Sequence, residues 1–111
     1  MAKCSAALDL TFAALSDPGR RAMVARLVEG PATLGELAEP LGLSLPAVAK
    51  HLAVLERGGL ATSRKIGRAR VCTLAPAAFD EARAWLAAQR AAWEARFDRL
   101  DALLIEGGDE T

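Results

Sequence analysis

No apolar run in this chain approaches the ~20 residues needed to cross a bilayer. The opening Met1-Ala2-Lys3-Cys4-Ser5 lacks the charged-then-apolar pattern of a secretory leader, so the expected compartment is the cytoplasm. Cysteine is scarce. Cys4 and Cys72 are the two present, far apart and outside any CxxC or CxC pair, which excludes a zinc knuckle. In a reducing compartment both are expected as free thiols. His51 is the single histidine, there is no glycine-rich phosphate loop, and no acid is paired with a base in a recognisable motif. Neither an enzyme nor a cofactor is expected from such a set. Net charge is also lacking: the formal sum is zero, which taken alone argues against a nucleic-acid partner.

What is present is a foldable composition, 52% hydrophobic and 25% charged over 111 residues, with room for one domain and one modest core. The zero sum conceals a strong segregation. Residues 1–43 hold four Lys/Arg against five Asp/Glu, residues 44–75 six against one, and residues 76–111 four against eight. A basic middle in an otherwise acidic chain is the footprint of a phosphate-contacting face.

Periodicity predicts the elements. Leu8, Phe12 and Leu15 make one stripe of a helix over 5–15. Ser16 or Asp17 caps the next helix, with Pro18 in its first turn and Met23, Val24, Leu27 and Val28 on one face. Thr33 and Glu36 fit a capping box that opens a short helix, stopped by Pro40 and Gly42. Ser44 caps another, with Val48, Leu52 and Leu55 inward and Ala47, Lys50, His51 and Val54 outward. Leu60 to Leu74 reads as a hairpin turned at Gly67. After Pro76 a long helix carries Phe79, Ala82, Leu86, Trp93, Phe97, Leu100 and Leu104 on one seam, and Gly107-Gly108 should begin a frayed acidic tail. So long a seam cannot be covered by so small a domain, and its coiled-coil-like period points to a second copy of the chain.

The phrases Leu15-Ser16-Asp17-Pro18-Gly19-Arg20-Arg21, Gly35-Glu36-Leu37-Ala38, Ser44 to Leu52, Val54 to Leu60 and Gly67-Arg68-Ala69-Arg70-Val71 resemble the ArsR-type (arsenical-repressor-like) winged-helix transcription regulators. The likeness spans about residues 8–104. It implies a mainly α fold with a small β-hairpin, a winged helix-turn-helix of order α-α-α-α-β-β-α. One domain, 1–111, would contain the helix-turn-helix at 33–57, the wing at 60–74 and dimerisation helices at 5–15 and 77–105. It further implies a homodimeric repressor that sits on a palindromic double-stranded DNA operator until a signal releases it. Carried over by position, Thr33, Ser44, Pro46, Ala47, Lys50 and His51 would lie in or beside the major groove, with Arg64, Lys65, Arg68 and Arg70 on the wing. Leu8, Phe12, Leu86, Trp93, Phe97, Leu100 and Leu104 would form the dimer interface.

There are departures. The metal-sensing branch uses a CxC-containing motif where this chain has Gly35-Glu36-Leu37-Ala38-Glu39-Pro40, and the branch that binds zinc between its last helices needs histidine that is absent after Pro76. Carboxylates alone hold zinc poorly, so no metal site and a non-metal signal are expected. Ala47, Ala49 and Ala53 leave the reading helix poor in hydrogen-bonding groups, which shifts affinity toward phosphates and DNA shape. Alternatives remain. Cys4 and Cys72 would serve a redox or metalloid sensor if they approached each other. Trp85, Gln89 and Trp93 would line a small-molecule pocket at the dimer interface. A winged-helix protein–protein adaptor would share the fold without needing the basic middle.

Overall fold

The computed structural model describes residues 5–109, with side chains as far as residue 105. Cys4 lies outside the described residues. The chain orders itself as α1 (Ala6–Ala14), α2 (Pro18–Val28), β1 (Ala32–Thr33), α3 (Leu34–Leu41), α4 (Leu45–Arg57), β2 (Ala61–Ile66), β3 (Ala69–Leu74) and α5 (Pro76–Asp109).

Side-chain oxygens start the first four helices by accepting amides that have no partner within the helix. Ser5 Oγ accepts from Leu8 N at 3.2 Å, and Asp17 Oδ2 from Arg20 N at 3.0 Å. Asp17, rather than Ser16, therefore caps α2. At α3 the capping box is complete: Glu36 N donates to Thr33 Oγ1 at 3.2 Å and Thr33 N donates to Glu36 Oε1 at 2.8 Å. Ser44 Oγ accepts from Ala47 N at 3.3 Å and Pro46 sits in the first turn of α4. The other end of α4 closes as a Schellman motif, with Leu60 N donating to Leu55 O at 2.9 Å and Gly59 N to Glu56 O at 3.0 Å.

The fully buried Met23, Leu37, Val48, Leu52, Leu55, Leu60 and Cys72 form the centre of the core, where α2, α3, α4 and the sheet meet. The sheet is antiparallel in the order β1-β3-β2. Its wing turns between Ile66 and Ala69, with Gly67 at φ +62°, the conformation a two-residue hairpin loop asks of its first residue.

Several details differ from the sequence reading. A third strand, β1, joins the hairpin through Ala32 opposite Cys72 and Thr33 opposite Val71. Two residues are too few to show an alternating pattern. Pro40 lies inside the last turn of α3 instead of beyond it. Val28 is exposed and leaves the α2 stripe to Met23, Leu27 and the half-buried Val24. In α1 the fully buried positions are Thr11 and Ala14, while Leu8, Phe12 and Leu15 are half-buried. Helix α5 does not stop at residue 105 but continues through Gly107 and Gly108 to Asp109. Glycine costs a helix about 1 kcal/mol per residue and does not forbid it.

Helix α5 has 34 residues, about 51 Å at 1.5 Å per residue. Ala78 and Ala82 are buried and Phe79 half-buried against the domain, and every residue from Arg83 to Ile105 is exposed. The helix thus leaves the domain and gives the molecule a longest dimension of 76 Å.

Candidate nucleic-acid interface

Helix α4 offers its surface by subtraction. Val48, Leu52 and Leu55 fix one side in the core. The opposite stripe runs through Pro46, Lys50 and Arg57, all exposed, with Ala53 between them half-buried. Lys50 projects outward as expected. Two of its expected companions do not: His51 turns toward Arg20 and Val54 packs against the core, while Ala47 is half-buried. The α1–α2 junction covers that flank of the helix. Arg57 was not among the sequence candidates, although it lies seven residues, two turns, beyond Lys50 and shares its face.

His51 differs most from expectation. Its Nδ1 lies 3.3 Å from Arg20 Nη1 and 4.0 Å from Asp17 Oδ2. The imidazole therefore faces the start of α2. Asp17 sits below its ordinary pKa, chiefly because its carboxylate accepts the Arg20 amide, with the Arg20 charge adding to the effect. The hydroxyls of Thr33 and Ser44 accept their cap amides, and the Thr33 cap holds Glu36 below its ordinary pKa.

The wing carries further cations. Arg64, Lys65 and Arg68 are exposed at or next to the hairpin tip, and no salt bridge to them is found among the described residues. Arg70 is more constrained: its Nε donates to Ser63 Oγ at 3.0 Å, and that hydroxyl donates to Glu56 Oε2 of α4 at 2.9 Å. This relay ties the wing to α4. The register explains it, since Ser63 pairs with Cys72 and Arg70 with Lys65 on adjacent strands.

The candidate thiol Cys72 is 0% exposed, between Ala32 and Ser63 on the neighbouring strands. Burial raises its pKa, with Glu56 adding to the rise, so the reactive thiolate is disfavoured. The candidate dimer residues on α5 are open: Trp93 is 64% and Leu104 67% exposed, and Leu86, Phe97 and Leu100 are each more than half exposed. Phe12 meets Trp85 of its own chain edge-on, ring centres 5.8 Å apart. Trp93 stacks on Phe97 at 5.4 Å. The open groove on α5 runs along Trp93, Phe97, Leu100 and Leu103.

Known proteins share this arrangement. The helix-turn-helix domain family matches residues 15–64. The HTH-type transcriptional regulator Rv2034 of Mycobacterium tuberculosis is 47% identical over 68 residues, 61% of this chain and 64% of that protein, so the match spans just under two thirds of its length. The transcriptional repressor SdpR of Bacillus subtilis is 31% identical over 61 residues, 55% of this chain and 68% of its own. Among solved structures, the ArsR family transcriptional regulator RHA00566 superposes with a TM-score of 0.78 at 44% identity, covering 85% of this chain and 97% of that one. These relatives are transcriptional regulators, not enzymes. The order of helices, the capped reading pair and the wing have the same origin: the chain belongs to the ArsR family of winged helix-turn-helix transcriptional regulators.

Proposed function

We propose that the chain is a homodimeric repressor that lays α4 in the major groove of a two-fold-symmetric operator and sets its wing on the flanking backbone. The observation that carries this reading is the set of exposed cations on two neighbouring elements, Lys50 and Arg57 on α4 and Arg64, Lys65 and Arg68 on the wing, in a chain whose net charge is zero. A helix fits the ~12 Å major groove, and flexible cations on a hairpin suit phosphates. With Ala49 and Ala53 beside Lys50, the helix has few base-reading groups. Affinity then rests on phosphates and sequence choice on a few contacts plus DNA shape.

The exposed α5 seam supports the dimer, because a monomer would leave Leu86, Trp93, Phe97, Leu100 and Leu104 in water. Half-sites about 34 Å apart follow from two such helices on one face of the duplex. A non-metal signal fits a chain with no thiol in α3 and no histidine in α5. The burial of Cys72 argues against it as the sensing thiol. Selection of bound sequences from a random duplex pool tests the reading. A two-fold-symmetric motif is expected; a pool that stays random after repeated rounds would sink it.

A further inference from the structure

The Arg20 guanidinium is held at three points. Nε donates to Ala14 O at 2.7 Å, Nη2 donates to Ala13 O at 3.2 Å, and Nη1 lies 3.3 Å from His51 Nδ1. Ala13 and Ala14 end α1, where carbonyls have no partner within the helix and a cation is favoured. Arginine only donates, so this contact is a hydrogen bond in the tautomer that leaves His51 Nδ1 free to accept. One side chain thereby joins the end of α1, the start of α2 and the middle of α4.

A second tie joins α1 to α4. Thr11 Oγ1 donates to Gly58 O at 2.7 Å within the core. A Cβ on Gly58 would lie 2.9 Å from Leu10 O, so the two helices meet there with no space between them. The ties are seven residues apart along α4, about 10 Å. One attachment would leave the helix free to pivot, and two fix its direction. Each lies one residue from an exposed cation: Lys50 precedes His51, and Arg57 precedes Gly58.

We infer that Arg20 and His51 are a positioning pair: their contact fixes how α4 is turned about its axis and so aims Lys50 and Arg57 at the DNA, while His51 itself does not read it. This rests on the DNA reading above.

The test is a double-mutant cycle on DNA discrimination, the affinity for the selected duplex divided by that for a scrambled one. Arg20→Lys keeps the charge at the end of α1 but cannot span to His51. His51→Ala removes the acceptor, and His51→Asn restores one where Nδ1 stood. Each single loss is expected to lower discrimination about tenfold, with the double no worse than either single. Asn is expected to recover most of the loss, and unfolding midpoint and sedimentation should match wild type. Additive effects, or a His51→Asn variant as poor as Ala while Arg20→Lys is harmless, would overturn the inference and make His51 a DNA contact. Should His51→Ala fail to fold, Arg20→Lys and His51→Asn decide between the same two outcomes. Wild type showing no discrimination would instead sink the DNA reading, and the pairing with it.

Discussion

Thr11 is the one polar side chain fully buried among the described residues, and its single hydroxyl proton goes to Gly58 O at 2.7 Å, with Ala7 O the longer alternative at 3.0 Å. Thr11→Val keeps the shape and leaves the Gly58 carbonyl without this donor. It is expected to cost about 1–3 kcal/mol, read as a lower urea midpoint with an unchanged slope. A midpoint equal to wild type would mean that water or a shifted backbone satisfies that carbonyl. Cys72 is expected to resist a thiol reagent in the native protein and to react once denatured, because the buried thiol is both covered and held above its ordinary pKa. Fast native labelling of Cys72, mapped by mass spectrometry, would return it to the list of sensors. Single residues were legible in the sequence where their partners were local. Thr33 with Glu36 and Ser44 with Ala47 are three residues apart and were readable as caps. His51 was not, because the guanidinium that turns it inward lies 31 residues away.

At the scale of elements, caps and breakers set the boundaries. Four of the helix starts follow from Ser5, Asp17, Thr33 and Ser44, and the wing turn follows from Gly67. Strand β1 escaped because it exists only through its pairing with β3, a tertiary fact with no local pattern. The outward face of α4 was misjudged by part of a turn for a similar reason. Periodicity fixes the buried stripe of a helix, but the width of that stripe depends on what packs beside it, here the α1–α2 junction. The capping box also gives a pH dependence. Glu36 has a folded pKa below its ordinary value, so its contribution is complete above the unfolded pKa and is lost as pH falls through the folded one. Glu36→Gln keeps an acceptor for Thr33 N but does not titrate. Its melting temperature is expected to fall less than that of wild type on acidification from neutral pH through the carboxylate range. Parallel curves for the two proteins would contradict the assignment.

At the scale of the whole molecule, the sequence showed the charge segregation and the overlong α5, and both are consequences of composition along the chain. What it did not show is how far α5 stands clear: from Arg83 onward it touches the domain only through neighbours such as Trp85 on Phe12. Since Trp93 is already exposed, Trp93→Glu should leave the single chain folded. It is expected to shift sedimentation from dimer to monomer and to weaken operator binding sharply. A variant that remains dimeric would place the interface elsewhere.

The central claim is that a cationic helix-and-wing surface binds DNA, and the salt dependence of operator affinity tests it most directly. Fluorescence anisotropy of the selected duplex is measured across a range of salt concentrations for wild type and for the Arg64→Gln/Arg68→Gln variant. The account predicts a steep linear fall of log affinity with log salt for wild type, and a slope shallower by about one for each phosphate contact removed in the variant, with the dimer intact. Affinity that barely changes with salt, or identical slopes for the two proteins, would contradict it.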